Sequence, residues 1–219
     1  MAISPNGEII AYTANRQLYV RHMSEMSSHP IGNELAVYPF FSPDGQWLAF
    51  YSGQDNTLKK IAVTGGAAVT LCPVSGVPLG ASWYGETIFF ILGPDIFAVP
   101  SSGGKAEIWM KVGESADSPQ LLPGGKSLLL SITRQPAGSG FRWDKADIVA
   151  VNRETNERKV LIQGGGAARY IPTGHIVYAL GVNLMAVPFD VRTLKVTGGP
   201  IPVVEGIMRA SAINASKHR

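Results

Sequence analysis

Short apolar runs, each introduced by a polar turn, recur along this chain. Ile3-Ser4-Pro5-Asn6-Gly7-Glu8-Ile9-Ile10-Ala11-Tyr12 matches Phe41-Ser42-Pro43-Asp44-Gly45-Gln46-Trp47-Leu48-Ala49-Phe50. Looser copies run over 81–90, 121–130 and 170–178. The turn glycines fall at 7, 45, 85, 125 and 174, so the spacings are 38, 40, 40 and 49. A second apolar run repeats in phase: Leu18-Tyr19-Val20, Leu58 to Val63, Ile96 to Val99, Ile148 to Val151 and Leu184 to Val187. Several copies add a Gly-rich turn and a further short apolar segment, as in Gly65-Gly66-Ala67-Ala68-Val69-Thr70-Leu71.

The turn residues explain themselves. Pro pre-sets φ, Asp or Asn bonds the local backbone, and Gly takes the left-handed conformation. The Ile-, Trp-, Phe- and Tyr-rich runs that follow suit buried strands. Four strands per roughly 40 residues is the spacing of a propeller blade. A lone blade cannot cover both of its faces, which accounts for strands that are apolar on both sides. The expected fold is therefore all-β: a β-propeller of about five four-stranded blades, either incomplete or closed by strands from both termini. The units fall at about 1–36, 37–76, 77–115, 116–165 and 166–207, forming one propeller domain over 1–207 with a disordered tail at 208–219. Arg134 to Asp144 reads as an insertion between the second and third strands of the fourth unit. The first unit opens at its turn, so its inner strand is expected to be missing. Glu205 to Ser211 is expected to supply that strand. The abrupt start suggests a piece of a longer parent or a reading frame trimmed at that end.

Composition narrows the function. Of 219 residues, 45% are hydrophobic and 16% charged, so a substantial core is available. The net charge of +3 comes from scattered lysines and arginines with no dense basic run, which argues against nucleic acid as a partner. No apolar stretch of about 18 residues exists, so no membrane span is encoded. The first residues do not read as a signal peptide. Cys72 is the only cysteine, which excludes an internal disulfide, and its place at the end of Ala68-Val69-Thr70-Leu71 suggests burial in a strand.

Repeated Ser-Pro-Asp-Gly turns with third strands of the Asp95-Ile96-Phe97-Ala98-Val99 kind resemble the TolB-type, WD-like propeller repeat. Gly104-Lys105-Ala106, Leu122 to Lys126, Arg158 to Leu161 and Val187-Pro188-Phe189-Asp190 are similar to propeller regions of bacterial serine/threonine kinases and transcriptional regulators. The likeness covers residues 3–207. It implies a protein- or ligand-binding module in a bacterial cytoplasm or periplasm. The kinase machinery itself is absent, since there is no Gly-rich nucleotide loop and no His-Arg-Asp segment. Five blades are also fewer than the six or more of many such propellers, which leaves an edge-strand dimer as a further option.

Catalytic motifs are lacking: there is no Gly-x-Ser-x-Gly elbow and no His-Glu-x-x-His. His175 stands where other repeats carry Glu8, Gln46, Glu86 and Lys126, which suggests a surface residue. Asn6, Asp44, Asp95 and Asp147 read as turn or strand-opening residues. Propellers place sites on loops entering inner strands and on loops joining second and third strands. By that analogy Glu34, Tyr38, Asp55, Asp117, Trp143, Arg169 and Asn183 are the ligand-binding candidates, with Asn56, Glu114, Asp144 and Arg209 nearby in sequence. Glu34, Asp117 and Asn183 are the candidate donors for Ca²⁺. Trp143 is either a contact residue or a cap. Two functions follow: a binding or scaffold module for a protein or small molecule, and, as the alternative, a metal-assisted hydrolase opening lactones or esters.

Overall fold

The computed structural model describes residues 1–33, 35–136 and 142–207. It contains 21 strands and one 3₁₀ turn among these residues. The chain divides into two compact units, Met1–Gly113 and the unit that begins at Glu114.

The first unit holds three antiparallel four-stranded blades. The first comprises β1 (Ala2–Ile3), β2 (Ile9–Ala14), β3 (Gln17–His22) and β4 (His29–Ile31). The second comprises β5 (Ala36–Phe41), β6 (Trp47–Ser52), β7 (Thr57–Ala62) and β8 (Val69–Pro73). The third comprises β9 (Ala81–Tyr84), β10 (Thr87–Leu92), β11 (Asp95–Pro100) and β12 (Glu107–Lys111). Side chains on a strand alternate between faces, and β6 uses both. Leu48 and Phe50 enter a core shared with Ala11, Leu18 and Ile31 of the first blade. Ala49 and Tyr51 enter a second core with Ile88, Phe90 and Val99 of the third. The double-sided hydrophobicity of the sequence is thus the sign of a blade packed between two others.

The second unit has two blades. One is β13 (Ser115–Leu121), β14 (Ser127–Thr133), β15 (Asp147–Asn152) and β16 (Arg158–Gln163). The other is β17 (Gly166–Ile171), β18 (His175–Leu180) and β19 (Asn183–Asp190), whose outer edge is shared by two short strands. There β20 (Lys195–Val196) pairs with Phe189 and Asp190, and β21 (Ile201–Val204) pairs with Leu184 to Ala186. Leu122, Leu129 and Ile148 pack with Ile176, Tyr178, Val187 and Phe189 to form this unit's core.

The repeated turn is one hydrogen-bonded device. In the second blade the Ser42 hydroxyl donates to Asp44 Oδ1 at 2.5 Å and accepts the Trp47 amide at 2.9 Å. The Gln46 amide donates to the same carboxylate oxygen at 3.0 Å. Ser4, Asn6 and Ile9 repeat this pattern in the first blade. Gly45, at φ +71°, closes the turn by donating to the Ser42 carbonyl at 2.9 Å. The Ser42 hydroxyl and the Gln46 amide hold the Asp44 carboxyl below its ordinary range. Asp44 and Asn6 therefore serve the turn.

Two expectations need correction. The first blade has a first strand of its own, because the chain folds back at Ser4-Pro5 and β1 pairs Ala2 with Ala11 and Ile3 with Ile10. Glu205 to Ile207 is not a strand: the Ile207 amide donates to the Val182 carbonyl at 2.8 Å, which holds this segment to its own blade. Met208 to Ser211, with the rest of the 208–219 tail, lies outside the described residues. No described helix is long and apolar enough to cross a membrane.

Candidate functional site

Three first strands share an irregularity. Pairing shifts between Val37 and Phe40 in β5, between Asp117 and Gln120 in β13, and between Gly166 and Arg169 in β17. Each bulge contains a non-glycine residue in the left-handed region: Tyr38 at φ +54°, Ser118 at +58° and Ala167 at +54°. Such conformations cost on the order of 1 kcal/mol or more, and bulges re-aim the neighbouring side chains. Tyr38, Asp117 and Arg169 thus lie within strands at bulges, where the sequence reading had them on the loops entering those strands.

In the second unit the bulges bring charge together. The Arg169 Nη1 group donates to the Ser118 carbonyl at 2.7 Å and to the Ala168 carbonyl at 3.4 Å. Asp117 lies close enough to feel the charges of Arg169 and Arg142, and the neighbouring Ser118 also favours its charged form. No basic nitrogen of the described residues comes within 4.0 Å of that carboxylate. Burial pushes the Asp117 carboxyl up, against the opposing pull of Arg169, Ser118 and Arg142. Burial likewise pushes the Arg169 guanidinium down, with Asp117 opposing. The neighbouring Gln120 holds the two first strands in register. Its amide nitrogen donates to the Tyr170 carbonyl at 3.0 Å, and its oxygen accepts the Tyr170 amide at 2.7 Å.

The insertion supplies one wall. Its 3₁₀ turn, Arg142–Lys145, is pinned by the Gly165 amide on the Asp144 carbonyl and the Gly181 amide on Asp144 Oδ1, both at 3.2 Å. Trp143 rests on Gly166, where a Cβ would come within 2.8 Å of its own. The Arg142 guanidinium stacks over the Trp143 ring at 4.6 Å, and its Nη2 donates to the Ser115 hydroxyl at 2.9 Å. Residues 137–141 of the insertion lie outside the described residues. Asn183 opens β19 directly after the Gly181-Val182 turn that Asp144 holds.

Other candidates are engaged elsewhere. Asp55 pairs with Lys59 at 2.8 Å and accepts the Thr57 hydroxyl at 2.7 Å, and Lys59 leads the causes that pull its carboxyl down to about 2. Asn56 accepts the Tyr51 hydroxyl at 2.5 Å. Glu114 takes Arg134 at 2.7 Å and Arg158 at 2.6 Å. His175 sits at the start of β18 beside Thr173. Tyr38, at 57% exposure, belongs to the first unit, as does Asp55. Glu34 and Arg209 lie outside the described residues. Cys72 is buried, and burial raises its thiol to about 11, far from a reactive thiolate.

Of the candidate Ca²⁺ donors, Glu34 lies outside the described residues, and Asp117 and Asn183 remain. Asp117 shares its surroundings with two guanidiniums, which oppose a cation, and among the described residues no three His, Cys, Asp or Glu side chains gather for a metal. The residues the sequence reading missed are Arg142, Ser115 and Ser118. The signal for Arg142 was its place beside Trp143 in the insertion. For Ser118 it was the shared spacing of Tyr38-Pro39 and Ser118-Pro119 to the turn prolines Pro43 and Pro123.

No family model and no curated protein matches this chain. Solved structures do. A structure assigned to TolB from Agrobacterium tumefaciens is 16% identical, with a TM-score of 0.69 over 94% of this chain and 81% of that one. TolB from Acinetobacter baumannii is 18% identical, with a TM-score of 0.68 over 94% of this chain and 54% of that one. Regucalcin from Agrobacterium tumefaciens, titled a calcium-binding protein, is 14% identical, with a TM-score of 0.57 over 78% of this chain and 60% of that one. Likeness at such identities is one of fold, and the fold of this chain is the TolB-type β-propeller.

Proposed function

We infer that this chain is a binding module that holds a small molecule or a protein segment at the first-strand bulges of its second unit. One observation carries the reading: Asp117 and Arg169 are brought together and partly buried, yet they do not close into a direct ion pair. Desolvating two charges is costly, and a fold gains nothing from it unless they pair with each other or with something else. Perturbed charged groups clustered on strained backbone are a reason to assign function. The propeller likeness agrees with a scaffold that presents a site, and it names no ligand.

A thermal-shift screen of peptides and small metabolites tests this, run in parallel on wild type and Arg169→Gln. Ligands that stabilise wild type and not the variant support the reading. Ligands that stabilise both equally refute it.

Metal-assisted opening of lactones or esters has less behind it. It rests on a likeness of fold to regucalcin and on a carboxylate whose neighbours are arginines. Turnover of a lactone panel that vanished with chelator would reinstate it.

A further inference from the structure

We propose that the Asp117–Arg169 cluster takes a free α-amino acid, its carboxylate on the open edge of Arg169 and its ammonium toward Asp117. This deepens the binding-module reading and rests on it.

A guanidinium offers five N–H donors in a fixed fork. Both acceptors of Arg169, the carbonyls of Ser118 and Ala168, are taken by Nη1. Nε and Nη2, which form the side-on edge of the fork, have no acceptor among the described residues. Nor are they sealed away. The only sealed side-chain polar atoms without partners among the described residues are Thr13 Oγ1 and Ser82 Oγ. The free edge of Arg169 therefore meets space that solvent can reach. Two parallel N–H groups at that edge match the two oxygens of a carboxylate.

Charge selects among anions. Arg169 and Arg142 contribute two positive charges and Asp117 one negative, a local sum of +1. A phosphate dianion would overcompensate this and sit beside a carboxylate. A monoanionic carboxylate neutralises it; a zwitterion leaves the sum at +1 but gives both Arg169 and Asp117 a partner. No hydrogen bond or ion pair of the described residues closes on the Asp117 carboxylate, so its oxygens keep room for an N–H donor. Asp117 immediately precedes Ser118, whose carbonyl Arg169 holds at 2.7 Å, so the two groups lie near each other without forming a direct pair. A molecule that bridges them must hold its two charges close together, and an α-amino acid does so across a single carbon. The Arg142–Trp143 stack, fixed to Ser115 and Gly166, keeps the second guanidinium in place, with no carboxylate of the described residues paired to it.

The test is calorimetry and thermal shift on the full chain with glycine, alanine, leucine and phenylalanine. Lactate, propionate and ethylamine serve as matched probes lacking one charge or the other. Saturable binding of one or more amino acids is expected, with each single-charge probe weaker by roughly tenfold or more, the worth of one charge-assisted hydrogen bond. Arg169→Lys keeps the charge but loses the fork, and is expected to weaken amino-acid binding by about tenfold. Asp117→Asn is expected to bring alanine and lactate to similar affinity. Asp55→Asn, a turn variant in the other unit, is expected to leave amino-acid affinity unchanged. Equal binding of alanine and propionate to wild type, or amino-acid affinity unmoved in both Arg169→Lys and Asp117→Asn, overturns the proposal. If no amino acid binds while a screened ligand is lost in Arg169→Gln, the ligand class is wrong and the binding-module reading stands. If nothing that binds depends on Arg169, both fall.

Discussion

Two acids nominated by the sequence met opposite fates. Asp55 lies in the turn Gly53–Asn56 between β6 and β7, and its chemistry is consumed within four residues by Lys59 and Thr57. Asp117 lies on a bulged first strand, and its charged neighbours come from β17 and the insertion, far along the chain. A turn satisfies its polar groups locally because water and adjacent backbone are at hand. A bulge inside a sheet leaves side chains that only distant residues or a ligand can satisfy. The comparison separates polar residues that build the fold from those left over when it is built.

Glycines give the largest contrast. Gly165 precedes β17 at φ +107°, and a Cβ there would lie 2.5 Å from Cδ2 of Tyr178, a core residue with 2% exposure. Left-handed strain and overpacking together predict that Gly165→Ala costs about 3 kcal/mol and shifts the docked 3₁₀ turn. Gly53, in the Asp55 turn, has no atom nearer than 3.9 Å to a Cβ and no positive φ. Gly53→Ala is expected to stay within about 0.5 kcal/mol of wild type. Urea denaturation of the two variants checks both. Equal losses would mean the bulge region is no more constrained than a turn.

Arg169→Ala comes next. It removes two hydrogen bonds from a charged donor and a positive charge that acts on Asp117, and is expected to cost about 2 kcal/mol. Adding Asp117→Asn should recover part of the loss, with a coupling of about 1 kcal/mol in the double-mutant cycle. Strict additivity would show that the two charges do not act on one another.

The architecture was readable because turn glycines and apolar runs recur in step, and both signals are local. The turn acids Asp44 and Asn6 were readable for the same reason. The bulges were not, because Tyr38, Ser118 and Ala167 are not residues from which a positive φ is expected. Only the recurrence of Pro39 and Pro119 at one spacing from the turn prolines hints at them. Arg169 occupies the position that Phe40 and Gln120 hold in other blades, a difference of chemistry at one repeat position. That difference has meaning only once the 3₁₀ turn is seen to dock against Gly165 and Gly166. The split outer edge of the last blade, shared by β20 and β21, has no counterpart in the other repeats and no sequence signal.

The smallest effects discriminate most cleanly, because the two acids titrate with opposite sign. The Asp55 carboxyl is lowered from 3.8 to about 2 in the fold, so its stabilisation is complete above 3.8 and disappears as pH falls toward 2. With a side chain 44% exposed, this pair contributes at most about 1 kcal/mol. Asp55→Asn should therefore be weaker than wild type at neutral pH and match it near pH 2. The Asp117 carboxyl is raised from 3.8, so the folded state holds that proton more tightly than the unfolded chain. Its contribution is most favourable below 3.8 and declines as pH rises through the raised folded value. Asp117→Asn should then equal wild type in acid and exceed it at neutral pH. Urea midpoints measured from acid to neutral pH on wild type and both variants provide the readout. If Asp117→Asn instead loses stability as pH rises, the carboxylate has a direct partner in the fold, and the leftover charge on which the ligand site depends does not exist.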